Sequence, residues 1–315
     1  MRDNLLIVAS AAAALLFAFL FIGVGLDADN YEYFLSRRVP KVLAIVIAAV
    51  AIAQSSLVFQ TVTHNRILTP SLLGFDYLYL LIQVLFVFIL GGLGSVMLST
   101  YLNFAISIVV MVGLSLVMFS LYFRQENPNI LTLMLLGVVV GQLLANVANF
   151  IVLLLDPTDF AFFQGSMFAS FNNVNSDLVY VSLVPLSLVM ATLFLYCRKL
   201  DVFWLDKDNA ISLGVDVKKV TKHILILISI LISISTALVG PILFFGLLVA
   251  NVTRQCMNSY RHKDLMIFGA FISIAMLLGG QWIIENLFSF ETTISVIINF
   301  VGGIYFLSLL IRQKV

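Results

Sequence analysis

The sequence predicts an all-α polytopic membrane protein with about ten transmembrane helices and a short cytoplasmic helical knuckle between helices six and seven. Three observations carry this reading. Hydrophobic residues make up 62% of the 315-residue chain and charged residues only 10%, against roughly 25% charged in an average soluble domain. Mean hydropathy is +1.10, which leaves too little polar sequence to cover a globule. The charges are also clustered: they bound long charge-free runs, most of them near the ~20 residues that cross a hydrocarbon core as a helix.

In chain order the runs are Asn4–Leu26, Val42–Thr63, Tyr77–Phe123, Asn127–Leu155, Leu178–Cys197, Ile224–Thr253, Leu265–Ile284 and Thr292–Ile311. The first follows Arg2 directly but is long enough to span and has no small-residue cleavage site after it. It is expected to be retained rather than removed as a signal peptide. Tyr77–Phe123 has the length of two spans, with GGLGS at Gly91–Ser95 as the expected turn. Ile224–Thr253 is broken at Gly240–Pro241, where a helix cannot continue undisturbed, so a full span precedes a shorter helix that does not cross completely. Phe160–Ser176 is charge-free but too short and polar to span. Residues 160–172 or so read as an outer helix resting at the interface, or else as an ordinary aromatic belt. No soluble domain interrupts the chain, and 1–315 reads as one transmembrane domain.

Ten helices place both termini on one side. If that side is cytoplasmic, it holds every Lys and Arg except Arg37, Arg38 and Lys41, while the acidic residues split evenly. The positive-inside rule therefore predicts cytoplasmic termini in a multi-pass protein. A net charge of +1 with no basic stripe excludes a nucleic-acid partner. Two cysteines, Cys197 and Cys256, exclude a disulfide scaffold and read as reduced and structural.

The missing chemistry is informative. No charged residue falls within the spans, whereas ion-coupled carriers keep ionisable groups at depth. His64, His223 and His262 lie in loops or at helix ends, and HExxH, CxxC and clustered-His patterns are all lacking, so no metal site is expected. No GxxxxGK[ST] phosphate loop is present. The chain is read as no enzyme, with no catalytic residues and no cofactor of its own, and a translocated solute would draw its energy from a partner.

Helical spacing picks out two polar stripes. Gln142, Asn146 and Asn149 share one face of the fifth helix, and Ser295, Asn299 and Gly302 repeat that spacing on the last. Amides facing lipid are costly unless satisfied, so the stripes face either protein, as helix–helix glue, or a water-filled passage. Between the sixth and seventh spans lies the one sizeable polar insert, a coupling region at about 201–219. Asp206 or Asp208 can cap a short helix through Ala210, Ser212 and Leu213, Gly214 stops it, and Asp216 beyond Val215 caps the next. Phe203, Trp204, Ile211 and Leu213 are then available for a partner groove.

On these residues the chain resembles the permease subunits of bacterial type II ABC importers for iron–siderophore complexes, haem and cobalamin. RRVPKVLA (Arg37–Ala44) is similar to the family's R-[VIL]-P-R motif, and VFQTVTHNRILTPSLLG (Val58–Gly74) to its F-Q-x-x-x-x-N-P-L-x-x-P-x-L-L-G loop, with Arg66 in place of Pro. DNAISLGVDVKKV resembles the A-x-S-L-G-V knuckle. GPILFFGLLVANVTR (Gly240–Arg254) resembles G-x-I-x-F-V-G-L-x-x-P-H-x-x-R, with Ala250 and Asn251 replacing Pro-His. The last helix lies over E-L-P-V-G-V-x-T-x-x-x-G-x-P-x-F, with Thr293 and Ser295 replacing Pro and Gly, and an outer Arg of the family is replaced at Ile284–Glu285.

The resemblance implies an importer permease in the bacterial inner (plasma) membrane that carries a ferric siderophore, in the catecholate branch by the wording FFGLLVAN, or else haem or cobalamin. It implies a second permease chain, as a homodimer or a paired heterodimer, and separate ABC ATPase subunits that use ATP and Mg. A periplasmic substrate-binding protein would dock at Arg38 and Lys41. Gln142, Asn146, Asn149, Ser295 and Asn299 would line the central path. Asp208, Ala210, Ser212, Leu213, Gly214 and Val215 would form the ATPase-coupling knuckle.

Overall fold

A computed structural model describes residues 2–24, 31–97, 99–124, 130–172, 174–205, 207–287 and 292–312. The fold is all-helical among the described residues. In chain order the α-helices are α1 (Arg2–Gly23), α2 (Tyr31–Val62), α3 (Phe75–Met97), α4 (Thr100–Phe123), α5 (Ile130–Val152), α6 (Pro157–Gln164), α7 (Ser176–Leu195), α8 (Cys197–Phe203), α9 (Lys207–Ser212), α10 (Val217–Val239), α11 (Phe245–Cys256), α12 (His262–Leu287) and α13 (Ile294–Arg312), with a 3-10 turn at Pro70–Leu73. Among the described residues eight helices are long and apolar enough to cross a membrane: α1–α5, α7, α10 and α12, with α13 a shorter apolar helix. At 1.5 Å per residue, α11 reaches only about 18 Å, well short of a ~30 Å core. The ten expected helices are all present, and the eighth is the half-length one.

Two helices form the centre. The apolar window of α2 is 83% buried and that of α10 67%, whereas those of α1 and α5 are 17% buried. Ala44, Ala48, Ala49, Ala51 and Ala53 on α2 are fully buried, and side chains this small let neighbouring backbones approach closely. On α5, Gly137 and Gly141 meet the backbone of the 3-10 turn. A Cβ on Gly137 would lie 2.9 Å from Leu73 Cα, and one on Gly74 the same distance from Gly141 Cα. The GVVVG spacing thus seats a turn, not another long helix.

Gly91, at φ 73 and ψ 163, breaks the helical path of α3 at the start of the expected Gly91–Ser95 turn. Ser99, whose side chain accepts from Leu102 N–H, caps α4. One sequence expectation shifts. The outer helix expected at 160–172 is α6, which stops at Gln164. The chain beyond it turns inward: Ala169 and Phe171 are buried, Ser170 N–H donates to the Val239 carbonyl at 2.9 Å, and Ala169 packs on Gly240. The reason is the helix break itself. Ending α10 at Val239 and restarting at Phe245 opens a space that this segment roofs.

Candidate translocation and coupling sites

The α5 stripe is presented and the α13 stripe is not. Gln142, Asn146 and Asn149 are all exposed. Gln142 and Asn146 line a 600 Å³ groove whose other walls are apolar, including Val139, Leu143 and Phe150. Gln142 also borders a 270 Å³ cavity formed with Thr69, Ser71, Tyr77, Phe244 and Phe306. No charged side chain lines either space among the described residues. Ser295, in contrast, is fully buried, its hydroxyl donating to the Ala169 carbonyl at 3.3 Å and lying 3.1 Å from the Thr293 hydroxyl. It holds the roofing segment from within the chain. Asn299 is half-buried, and its amide oxygen has no hydrogen-bond partner among the described residues.

The knuckle folds as its residues dictate. Helix α9 ends with Leu213 N–H donating to Asn209, Gly214 at φ 79 and Val215 N–H returning to the Ala210 carbonyl at 3.0 Å, the closure a left-handed glycine permits. Asp216 accepts from Lys219 N–H and caps α10; that bond and the ion pair with Lys219 hold its carboxyl below the usual range. Ala210 is fully buried, while Ile211 and Leu213 are 52% and 63% exposed, and Ser212 is exposed too. The side chain of Asp208 lies outside the described residues, as does Asp206. The apolar set offered to a partner is smaller than expected, because Phe203 is buried in the core.

Trp204 explains where the rest of that surface goes. It closes α8 and sits under two guanidiniums, Arg254 at 4.7 Å and Arg66 at 5.5 Å from its ring centroid. From there a relay crosses four helices. Arg254 of α11 donates to the Thr61 hydroxyl of α2 at 2.9 Å and to the Leu57 carbonyl. The Thr61 hydroxyl lies 2.8 Å from His262 Nε2 of α12. Asp201 of α8 accepts from the His262 backbone N–H at 2.6 Å and lies 2.7 Å from its Nδ1. Burial, then the neighbouring Arg66 charge, pulls the Arg254 guanidinium down to about 10, still cationic at neutral pH. Sequence reading missed this set, though all four residues sit at the ends of apolar runs on one predicted side.

At the opposite end Arg38 donates to the Ile22 carbonyl of α1 at 2.9 Å and to that of Val24 just beyond it at 2.6 Å, which caps that helix. Lys41 forms an ion pair with Glu285 of α12 and donates to Asn172 at 2.6 Å, and Gln281 joins both partners. Both expected docking residues therefore carry structural work within the chain.

Asp76 departs from the expectation of a charge-free interior. It stands in the first turn of α3, 2% exposed, with one carboxylate oxygen lacking a partner among the described residues.

The chain is similar to known proteins over nearly its whole length. The profile of the FecCD transport family matches residues 5–312. The chain belongs to that family. Among its relatives, the petrobactin import system permease protein YclO of Bacillus subtilis is 46% identical over 288 residues, covering 91% of each chain. The petrobactin import system permease protein FatC of Bacillus anthracis is 34% identical, over 92% of this chain and 82% of the relative. The FecCD fold superposes on an inward-facing metal-chelate type ABC transporter with a TM-score of 0.84 at 19% identity, covering 99% of this chain and 100% of the other. As a FecCD member it is a transport subunit, not an enzyme.

Proposed function

We propose that this chain is the permease subunit of an ATP-driven importer for a ferric siderophore of the petrobactin class. The observation that carries the reading is the groove on α5, bounded by amides and apolar side chains with no charge among the described residues. A large amphipathic chelate passes such a surface without being trapped, since conduction requires that binding stay weak. Two relatives, at 46% and 34% identity, are both petrobactin permeases, which favours this cargo over haem or cobalamin.

The path is formed by Gln142, Asn146 and Asn149 facing a second permease chain, identical or paired, with Asn299 at its margin. Ile211 and Leu213 engage the separate ATPase, which uses ATP and Mg, and the knuckle faces the cytoplasm with both termini, as the basic residues require. An external binding protein meets the opposite end. Arg38 and Lys41 contribute there through the helix ends they hold as much as by direct contact.

The test uses the full importer in proteoliposomes. ATP-dependent uptake of the ferric chelate is expected, and Asn146→Trp should abolish it while the complex still assembles. Dissociation of the Asn146→Trp complex would make the stripe helix glue. Sustained uptake in ATP-depleted vesicles under an imposed ion gradient would replace the whole reading with a secondary carrier.

A further inference from the structure

Of the cavities along this bundle, the one beside Trp204 has a mostly polar wall. It encloses 190 Å³ and is lined by Arg66, Arg254, Trp204, Asn258, Ser259 and Tyr260, among others. Two guanidiniums in one cavity call for counter-charge, yet among the described residues neither has a carboxylate within ion-pair distance. Asp201 is committed to His262, and Asp264 accepts from the Ser259 hydroxyl. The Arg254 Nε–H is buried without an acceptor among the described residues.

The two cations are held in place rather than drifting apart. The Arg66 carbonyl accepts from the Gln60 amide at 2.7 Å and the Asn251 amide at 3.0 Å, which fixes the loop at that residue. Arg254 is anchored by its bonds to Leu57 and Thr61. Both stack on the same indole, an arrangement that suits arginine's weakly hydrated, planar head. Like charges gathered this way raise the potential in the cavity and leave donor N–H groups for planar or tetrahedral oxyanions.

We propose that this cavity is a binding site for a phosphate-class oxyanion, supplied either free in the cytoplasm or as the headgroup phosphate of an anionic lipid. The site joins the α2 loop, α11 and the end of α8. An occupant would therefore tie the coupling knuckle to the wall of the Phe244 cavity, and loading of the site would tune how firmly the two move together.

Trp204 and Trp282 are the only tryptophans, so the Trp282→Phe chain reports on the cavity through Trp204 alone. In phosphatidylcholine nanodiscs, inorganic phosphate at fixed ionic strength should change Trp204 emission saturably, and chloride should not. Arg66→Gln, at an exposed position, should weaken the response at least about tenfold, the loss of one charge-assisted contact, and Arg66→Lys should restore part of it. If the lipid headgroup is the source, phosphatidylglycerol nanodiscs should show the changed emission beforehand and phosphate should add nothing, with Arg66→Gln reversing it. No Arg66-dependent change in either lipid, or a phosphate response equal to that of chloride, overturns the proposal. So does a change that appears only on adding the ATPase, which would make the cavity a socket for a protein carboxylate.

Discussion

Replacing Gly240 by alanine tests the break between α10 and α11 directly. Gly240 sits at φ 93 and ψ 176, a region open essentially to glycine and costing another residue about 1–3 kcal/mol. A Cβ there would also meet three backbone atoms: Ala169 Cα at 2.9 Å, Ala169 N at 3.2 Å and the Phe168 carbonyl oxygen at 3.3 Å. That segment cannot step aside freely, because Ser170 is bonded to Val239 and the Ala169 carbonyl to Ser295. Losing either bond adds about 0.5–1.5 kcal/mol, so the combined cost is roughly 2–4 kcal/mol. Gly214→Ala is the matched control. It has a similar φ of 79 but, among the described residues, nothing within 4 Å of the added methyl, so only the backbone cost of about 1–2 kcal/mol remains. Thermal denaturation of the purified chain in detergent should place Gly240→Ala several degrees below Gly214→Ala, at about 2–4 °C per kcal/mol. Equal midpoints would show that the roofing segment yields at no cost and would refute the packing argument.

Lys41→Met and Glu285→Gln should each destabilise by about 1–3 kcal/mol, since both side chains are largely covered, and the double variant should lose less than the sum; strictly additive midpoints would show that the pair is not coupled. Leu213→Asp, on an exposed side chain, should leave thermal stability within about 0.5 kcal/mol yet abolish co-purification of the ATPase, and wild-type recovery of the ATPase would remove the knuckle's coupling role. Thr61→Val deletes the hydroxyl between Arg254 and His262 and should cost about 1–3 kcal/mol, with Thr61→Ser restoring most of it; a Thr61→Val midpoint equal to wild type would mean that the relay contributes nothing to the fold.

The helices were legible because lipid leaves the backbone no other partner, so apolar length alone nearly decides where they run. Glycine and proline at 240–241, and the Gly214 stop and Asp216 cap of the knuckle, were legible for a similar local reason. Gly91 was legible as the break in α3 because the positive φ it adopts is open essentially to glycine. The 160–172 segment misled because its burial depends on a gap made by residues far along the chain. For the same reason the α13 stripe could not be resolved by spacing. Ser295 and Asn299 share a helical face, but only the position of Ala169 decides that one hydroxyl is satisfied internally. The Arg254–Thr61–His262–Asp201 relay joins four helices, and no local pattern announces such a meeting.

The backbone contact between Gly137, Gly141 and the Leu73–Gly74 turn has a mechanical consequence. Side chains can slide by changing rotamer, but main chain against main chain has no such freedom. Helix α5 cannot roll about its axis without dragging the turn along, nor can the turn shift without taking α5. The face that carries Gln142 and Asn146 is thereby geared to the loop that carries Arg66. A shift of the Leu73–Gly74 turn would therefore carry the face with Gln142 and Asn146 along as one piece.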